Sequence, residues 1–288
     1  MKALVTGGEG QLARAWATAA PPGWTVTAMS RAALDVGDEA MVRARIAALA
    51  PDLVLNAAAF TAVDRAETEA EAAFAVNRDG ASHVARAAAE FGVRMVHVST
   101  DFVFDGASGR AYRPDDAAAP LGVYGASKLA GEAAVAAAAP GALIVRAAWL
   151  YSPRPGNFLT TMLRLMGQTG EARVVADQIG SPTSAASLAA ALWGLIEGGA
   201  SGLLHYADAG VASRYDFALA IGEDALAAGL LARAPRVVPI AGPDLPTPAR
   251  RPAFSVLDST LAWNLLGGSA PHWRGSLRRM LAEMALPP

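Results

Sequence analysis

A short apolar run, Lys2 to Thr6, gives way at once to Gly7-Gly8-Glu9-Gly10-Gln11-Leu12-Ala13, and a helical pattern follows until Pro21-Pro22-Gly23 stops it. Strand, glycine turn and helix in this order open a βαβ unit, and such units build parallel sheets with helices on both faces. Gly7 and Gly10 let the backbone come close to a pyrophosphate. The helix start at Gln11 and Leu12 offers N–H groups and a positive dipole end to the same anion. Ala13 is small enough for the helix to lie close on the strand. An ordinary strand-to-helix turn would look similar; the position at the head of a βαβ unit favours the nucleotide reading.

The rhythm continues. The spacing predicts strands over Trp24–Met29, Asp52–Asn56, Arg94–Ser99 and Leu143–Arg146, with helices over Glu39–Leu49, Asn77–Glu90 and Tyr124 to about Ala139. Doubly wound sheets bind ligands at the carboxyl ends of their strands. Three such ends carry distinctive residues. The second strand ends Met29-Ser30-Arg31, without the acid that would take a ribose 2′-hydroxyl. Ser30 and Arg31 suit a 2′-phosphate, which points to NADPH with NADH possible, and a plain surface arginine is the alternative. Asp35 and Val36 follow, along the expected adenine edge. The third strand ends in Ala57-Ala58-Ala59, small residues against which a ligand can lie. The fourth ends Ser99-Thr100-Asp101-Phe102, a polar cluster that serves either a site or a turn cap.

After Tyr151 the pattern breaks at Pro153, Pro155 and Gly156. Helices are expected from Phe158 towards Met166, over Ser184–Ile196, over Tyr215 to about Leu230, and over Ser276–Ala285. Strands are expected at Arg173–Ala176 and Leu203–Tyr206, with an extended piece at Val237–Ile240. The fold class is therefore α/β, a Rossmann-like doubly wound parallel sheet with a smaller C-terminal α/β substrate lobe. Residues 1–150 form the nucleotide-binding part and 151–288 mainly the lobe, with room for the chain to cross back between them.

Composition narrows the function. The net charge of -2 gives no basic footprint, so nucleic acid is not an expected partner. The chain has no cysteine, and its four histidines, His83, His97, His205 and His272, show no ligand spacing, so no metal site is expected. The apolar run Ala133–Val145 is interrupted by Pro140-Gly141 and is too short to span a bilayer, so no membrane insertion is expected. The first glycine turn comes too early for a signal peptide, and a cytoplasmic protein is the expectation.

Tyr124-Gly125-Ala126-Ser127-Lys128 places a phenol and an ammonium one helical turn apart. Among 24 Lys+Arg the only lysines are Lys2 and Lys128. A chain this rich in arginine has kept lysine where a compact ammonium would tune a neighbour. A solvated lysine beside a buried tyrosine gives the same short pattern.

The ordered set carries a resemblance. Thr-Gly-Gly-x-Gly-Gln-Leu at residues 6–12, Asn56-Ala57-Ala58-Ala59 with Thr61-Ala62-Val63-Asp64, and Ser99-Thr100-Asp101 with Val103-Phe104-Asp105-Gly106 begin it. Tyr124-Gly125-x-Ser127-Lys128, Arg146-x-x-Trp149, Asp177-Gln178-x-Gly180-x-Pro182-Thr183 and Arg251-Pro252 complete it. Together they resemble the extended short-chain dehydrogenase/reductases, and within them the dTDP-4-dehydrorhamnose reductase family. The resemblance implies a dTDP-linked 4-keto-6-deoxy sugar as substrate, Tyr124 as proton donor to its C4 oxygen, Thr100 as hydrogen-bond partner of that oxygen, and Lys128 on the nicotinamide ribose. Lys128 is also expected to lower the tyrosine pKa from ~10. Asp101, Phe102, Trp149, Asn157, Gln178 and Arg251 are the implied substrate contacts, with Trp149 packing on the sugar and Arg251 on the diphosphate. Core packing for Trp149 and a surface ion pair for Arg251 are the plain alternatives.

The chain departs from the family at Phe60 and Phe102, where tyrosine is common, and the second change removes a hydroxyl beside Thr100. Ala15 stands where some relatives carry an acid that helps a magnesium ion bridge a dimer, so that metal is not carried over. A homodimer or a monomer fits the sequence. Another nucleotide-sugar ketoreductase or epimerase, or a non-catalytic regulatory relative, would share the scaffold.

Overall fold

The computed structural model of the chain describes residues 1–286. The first part alternates strand and helix: β1 (Lys2–Thr6), α1 (Gln11–Thr18), β2 (Thr25–Met29), α2 (Glu39–Leu49), β3 (Leu53–Asn56), α3 (Val63–Ala66), α4 (Ala70–Phe74), α5 (Ala81–Glu90), β4 (Arg94–Thr100), α6 (Val123–Ala138) and β5 (Leu143–Ala147). The second part runs β6 (Leu150–Tyr151), α7 (Phe158–Thr169), β7 (Glu171–Val175), β8 (Ile179–Gly180), β9 (Thr183–Ser184), α8 (Ala185–Glu197), β10 (Gly202–Tyr206), β11 (Ala212–Ser213), α9 (Arg214–Ala227), β12 (Arg236–Ile240), α10 (Thr260–Leu265) and α11 (Trp273–Met284).

Six strands form one sheet in the order β10-β5-β4-β3-β1-β2, every pairing parallel. Its central strands are near-continuous apolar runs: β3 and β5 are buried along their whole length. Such strands need cover on both faces, because neither face can be left to water. One face packs on α1 and α8, where Trp16 and Trp193 stack with ring centroids 4.1 Å apart. The other packs on α2, α5 and α6 through Leu4, Val54, Met95, Val84 and Val135. The strand order reverses at β1, which is flanked by β2 on one side and β3 on the other. That reversal opens the crevice a doubly wound sheet uses for a ligand.

A third apolar cluster, centred on Tyr151, Phe217, Trp273 and Leu277, holds the second lobe from α7, α9 and α11. The parallel pair β7–β12 and the short pairs β8–β11 and β6–β9 belong to the second part of the chain. The chain recrosses before that lobe is complete: β10 pairs with β5, and α8 packs on the same face as α1. Residues 185–206 thus return to the main sheet. This return buries most of α8 and the last three residues of β10.

The helix expected through Asn77 is interrupted. Residues Ala75–Gly80 form a π-helical turn between α4 and α5. Turns of this type cluster at functional sites. Among the described residues no helix is long and apolar enough to cross a membrane, and no group of three or more His, Asp or Glu is arranged to hold a metal ion.

Candidate active site

A cleft of about 1090 Å³ lies at the carboxyl ends of the sheet, between it and the second lobe. Its floor begins with a polar clasp. Thr6 Oγ1 donates to Asn56 Oδ1 at 2.7 Å and accepts the Ala58 N–H at 3.1 Å. Asn56 Nδ2 lies 3.1 Å from His97 Nδ1. The three strand ends are thereby held in register. Gly7 adopts φ +65°, and a Cβ there would stand 2.9 Å from the Ala58 Cα, so the glycine loop lies against the Ala57-Ala58 backbone. Gly10 caps α1 without a side-chain hydrogen bond, and the first turn of α1 carries no acid. The N–H groups at the start of α1 therefore face the cleft beside Gln11 and Leu12 without a side-chain acceptor. A dinucleotide pyrophosphate fits that arrangement. Ala57, Ala58 and Ala59 line the adjoining wall.

Of the residues expected at the ribose, only Arg31 lines the cleft. Its Nε donates to Asp35 Oδ2 at 3.1 Å, and Asp35 Oδ1 accepts from Gly37 N at 2.9 Å. The Gly37 N–H, more than Arg31, holds the Asp35 carboxyl below its ordinary pKa, against a smaller opposing effect of burial. Asp35 acts behind the wall, aiming Arg31. Val36 is core, with a carbonyl 2.9 Å from His83 Nδ1. The Ser30 carbonyl accepts from the Ala33 and Leu34 N–H groups. Asp35 thus bears on this end of the cleft through Arg31, and the Val36 side chain lies in the core.

Thr100 ends β4, and Tyr124 and Lys128 project from α6 into the same space. Gly125 makes this possible. A Cβ there would collide with the Phe102 carbonyl oxygen, so only glycine lets α6 press against the turn after β4. Asn77, inside the π-helical turn, locks the helix from behind: its Nδ2 donates to Ser127 Oγ at 2.9 Å and to Phe60 O at 3.1 Å, and its Oδ1 accepts from Phe60 N at 2.8 Å. Ser127 Oγ in turn donates to Tyr124 O at 2.8 Å.

The ammonium of Lys128 donates to the Val98 carbonyl at 2.7 Å, and not to the phenol. Burial pushes Lys128 down to about 8, with the charge of Glu132 acting in the opposite direction. Burial pushes Tyr124 up to about 12; a hydrogen bond with Thr100 opposes this, and the charge of Asp101 adds to it. Desolvation is the largest influence on the phenol, and the lysine ammonium is tied to a strand carbonyl. At neutral pH the phenol is held as a proton donor.

Phe102, Trp149, Gln178 and Arg251 line the far half of the cleft, with Asp101 and Asn157. Thr100 Oγ1 donates to Asp101 Oδ1 at 3.1 Å, and burial raises the pKa of this carboxyl against weaker opposing hydrogen bonds from Ser255 and Thr100 and the charge of Arg214. Asn157 caps α7, and its Nδ2 donates to the carbonyls of Ser152 at 2.9 Å and Arg154 at 2.7 Å, so its amide is largely spent on the backbone. Arg251 is paired with Asp64 through Nη2 at 2.8 Å and Nη1 at 3.1 Å. Trp149 has φ +46° and its indole lies where a Cβ on Gly180 would be. The guanidinium of Arg214 lies over its ring, Cζ 3.5 Å from the centroid. Arg214 also lines the cleft. Sequence reading missed it, because a lone arginine at the start of a helix has no motif. One signal existed: a cation in the first turn stands at the unfavourable end of the helix dipole.

A parallel sheet whose strand ends hold an uncapped helix N-terminus, with a Thr-Tyr-Lys set alongside, is the architecture of a dinucleotide-dependent oxidoreductase. Residues 1–286 match the family model described as the RmlD substrate binding domain. The chain is similar to the dTDP-4-dehydrorhamnose reductase of Sinorhizobium fredii, 40% identical over 99% of this chain and 98% of that protein. It is also similar to the reductase of the same name from Mycobacterium tuberculosis, 43% identical over 98% of this chain and 93% of that one. Among solved structures, dTDP-4-dehydrorhamnose reductase from Bacillus anthracis in complex with NADP superposes with a TM-score of 0.93 at 33% identity, covering 98% of this chain and 99% of that one. The chain belongs to the dTDP-4-dehydrorhamnose reductase family.

Proposed function

We propose that the chain reduces the C4 keto group of dTDP-4-dehydro-6-deoxy-L-mannose to give dTDP-L-rhamnose, with NADPH as the preferred reductant and NADH possible. The observation that carries this is the meeting of Thr100, Tyr124 and Lys128 in one cleft with the open N-terminus of α1. Bound NADPH supplies the hydride to C4. Tyr124, kept protonated by burial, gives its proton to the carbonyl oxygen as that oxygen gains charge. Thr100, turning its one hydroxyl proton away from Asp101, donates a hydrogen bond to the same oxygen and fixes the keto group against the phenol. Lys128 holds the nicotinamide ribose with the N–H donors it does not spend on Val98. Arg31 takes the 2′-phosphate with the two terminal nitrogens that Asp35 leaves free.

Phe102 and Gln178 border the sugar, with Trp149 behind it and Asp101 beneath it, and Asn157 and Arg251 shape the ends of that pocket. An enzyme using these two soluble metabolites works in the cytoplasm, as a monomer or homodimer.

The test is NADPH oxidation with enzymatically prepared dTDP-4-dehydrorhamnose, beside GDP-linked 4-keto sugars. Turnover with the dTDP sugar is expected, and turnover of only GDP sugars would overturn the reading. Tyr124→Phe should lower turnover about 100-fold or more while NADPH still binds.

A further inference from the structure

We infer that Arg214 is a substrate-contacting, specificity-determining residue that takes the diphosphate of the sugar nucleotide. This rests on the proposed function and adds a contact to the same site.

The inference comes from where the positive charges of the cleft are spent. A nucleoside diphosphate leaving water must meet donors and cations that compensate its charge. Arg251, the obvious candidate, gives both terminal nitrogens to Asp64, at 2.8 and 3.1 Å. Arg31 lies at the cofactor end and is paired with Asp35. Lys128 is buried under the phenol and bonded to Val98. Arg214 is the remaining cation in the wall, and among the described residues its guanidinium makes neither a salt bridge nor a side-chain hydrogen bond.

Its placement is costly without an anion. It is the first residue of α9, where the helix dipole opposes a cation. Burial lowers its pKa to about 10, with Asp101 the only acid acting against this. Its position is nonetheless fixed. Its Cζ lies 3.5 Å from the Trp149 ring centroid and 5.1 Å from that of Phe158. The Arg214 N–H donates to the Gln178 carbonyl at 3.0 Å. The cation–π contact holds the guanidinium over the indole, and its N–H donors stay available for oxygens in the cleft. Arg214 covers one face of the indole expected to pack on the sugar, and both residues line the cleft. The ligand therefore meets a guanidinium there, and the tryptophan serves as its platform. The charges of Asp101 and Arg251 both act on Arg214. Arg214 lines the same cleft as Thr100, Tyr124 and Arg251, which puts it in the wall open to a diphosphate joining sugar to nucleoside.

The experiment compares wild type with Arg214→Met and Arg214→Lys. Calorimetry with dTDP and with dTMP measures the contribution of the second phosphate, and steady-state kinetics with the dTDP sugar measures KM and kcat. In wild type, dTDP should bind better than dTMP. Arg214→Met should weaken dTDP about tenfold or more, leave dTMP within about twofold, and raise KM with little change in kcat. Arg214→Lys should recover part of the dTDP affinity by charge alone. NADPH affinity should be unchanged in both, which also reports that each variant is folded. If dTDP affinity is unchanged while KM for the sugar substrate rises, Arg214 reads sugar hydroxyls and the diphosphate assignment is wrong. If neither changes, the residue is structural and the inference fails. A wild-type enzyme that does not turn over the dTDP sugar would instead defeat the proposed function itself.

Discussion

Phe102 meets Tyr124 edge to face, with ring centroids 5.5 Å apart and planes at 74°. The proton donor is therefore walled by a hydrocarbon on the side where relatives commonly place a second phenol. Burial is the largest influence raising the Tyr124 pKa. Phe102→Tyr should restore one hydrogen bond to the sugar and lower its KM by about three- to tenfold, with kcat nearly unchanged. Steady-state kinetics checks this; an unchanged KM would mean the ring edge does not face the sugar.

Lys128 gives the reaction its alkaline limit. Its folded pKa of about 8 lies below the ordinary 10.5, so the ammonium discharges as pH rises through about 8. Tyr124, at about 12, keeps its proton over the same range. kcat/KM should fall along a single limb with its midpoint near 8. Lys128→Met should be slow at every pH and lack that limb. A midpoint near the tyrosine value in wild type would assign the limb to the phenol instead.

Arg31 should decide between the two cofactors. It is exposed, and Asp35 engages only its Nε. Arg31→Ala should raise KM for NADPH about tenfold and leave KM for NADH within about twofold. Equal effects on both would place the arginine at a part the two cofactors share.

The α6–β5 contact carries a stability prediction. Arg146 and Glu132 form a buried two-point pair, Nη2–Oε2 at 2.7 Å and Nε–Oε1 at 2.9 Å. Arg146 Nη1 also lies 3.4 Å from His205 Nε2 on β10. Both carboxylate and guanidinium are nearly solvent-free, so removing one charge strands the other. Glu132→Gln should cost about 3–5 kcal/mol, which a thermal melt would show as a fall in Tm of roughly 10 °C. A fall of under about 2 °C would mean that the pair is solvated in the native state.

Much of the first part of the chain was legible because each element is local. Apolar runs, glycine turns and helix stops recur with a period the backbone imposes, and the ends of β1, β3 and β4 carried their small and polar residues openly. The return of β10 to the main sheet was not legible in the same way. Nothing in Gly202–Tyr206 distinguishes an edge strand of the large sheet from one in a small lobe; pairing with β5 distinguishes them. The π-helical turn was hidden too, since Asn77 sits in an ordinary helical pattern and is pulled out of it by Phe60 and Ser127.

The sequence by itself determined the class of fold, the cofactor loop, and the Thr100, Tyr124, Lys128 set, because these depend on residue type at fixed spacing. Tertiary structure decided how the charges are spent. Arg251 is neutralised by a carboxylate 187 positions away. Lys128 is bound to a strand carbonyl, the phenol is raised by burial, and Arg214, without a salt bridge among the described residues, lies over Trp149. Desolvation and pairing are properties of neighbours in space, and for a cation in a cleft those neighbours come from distant parts of the chain.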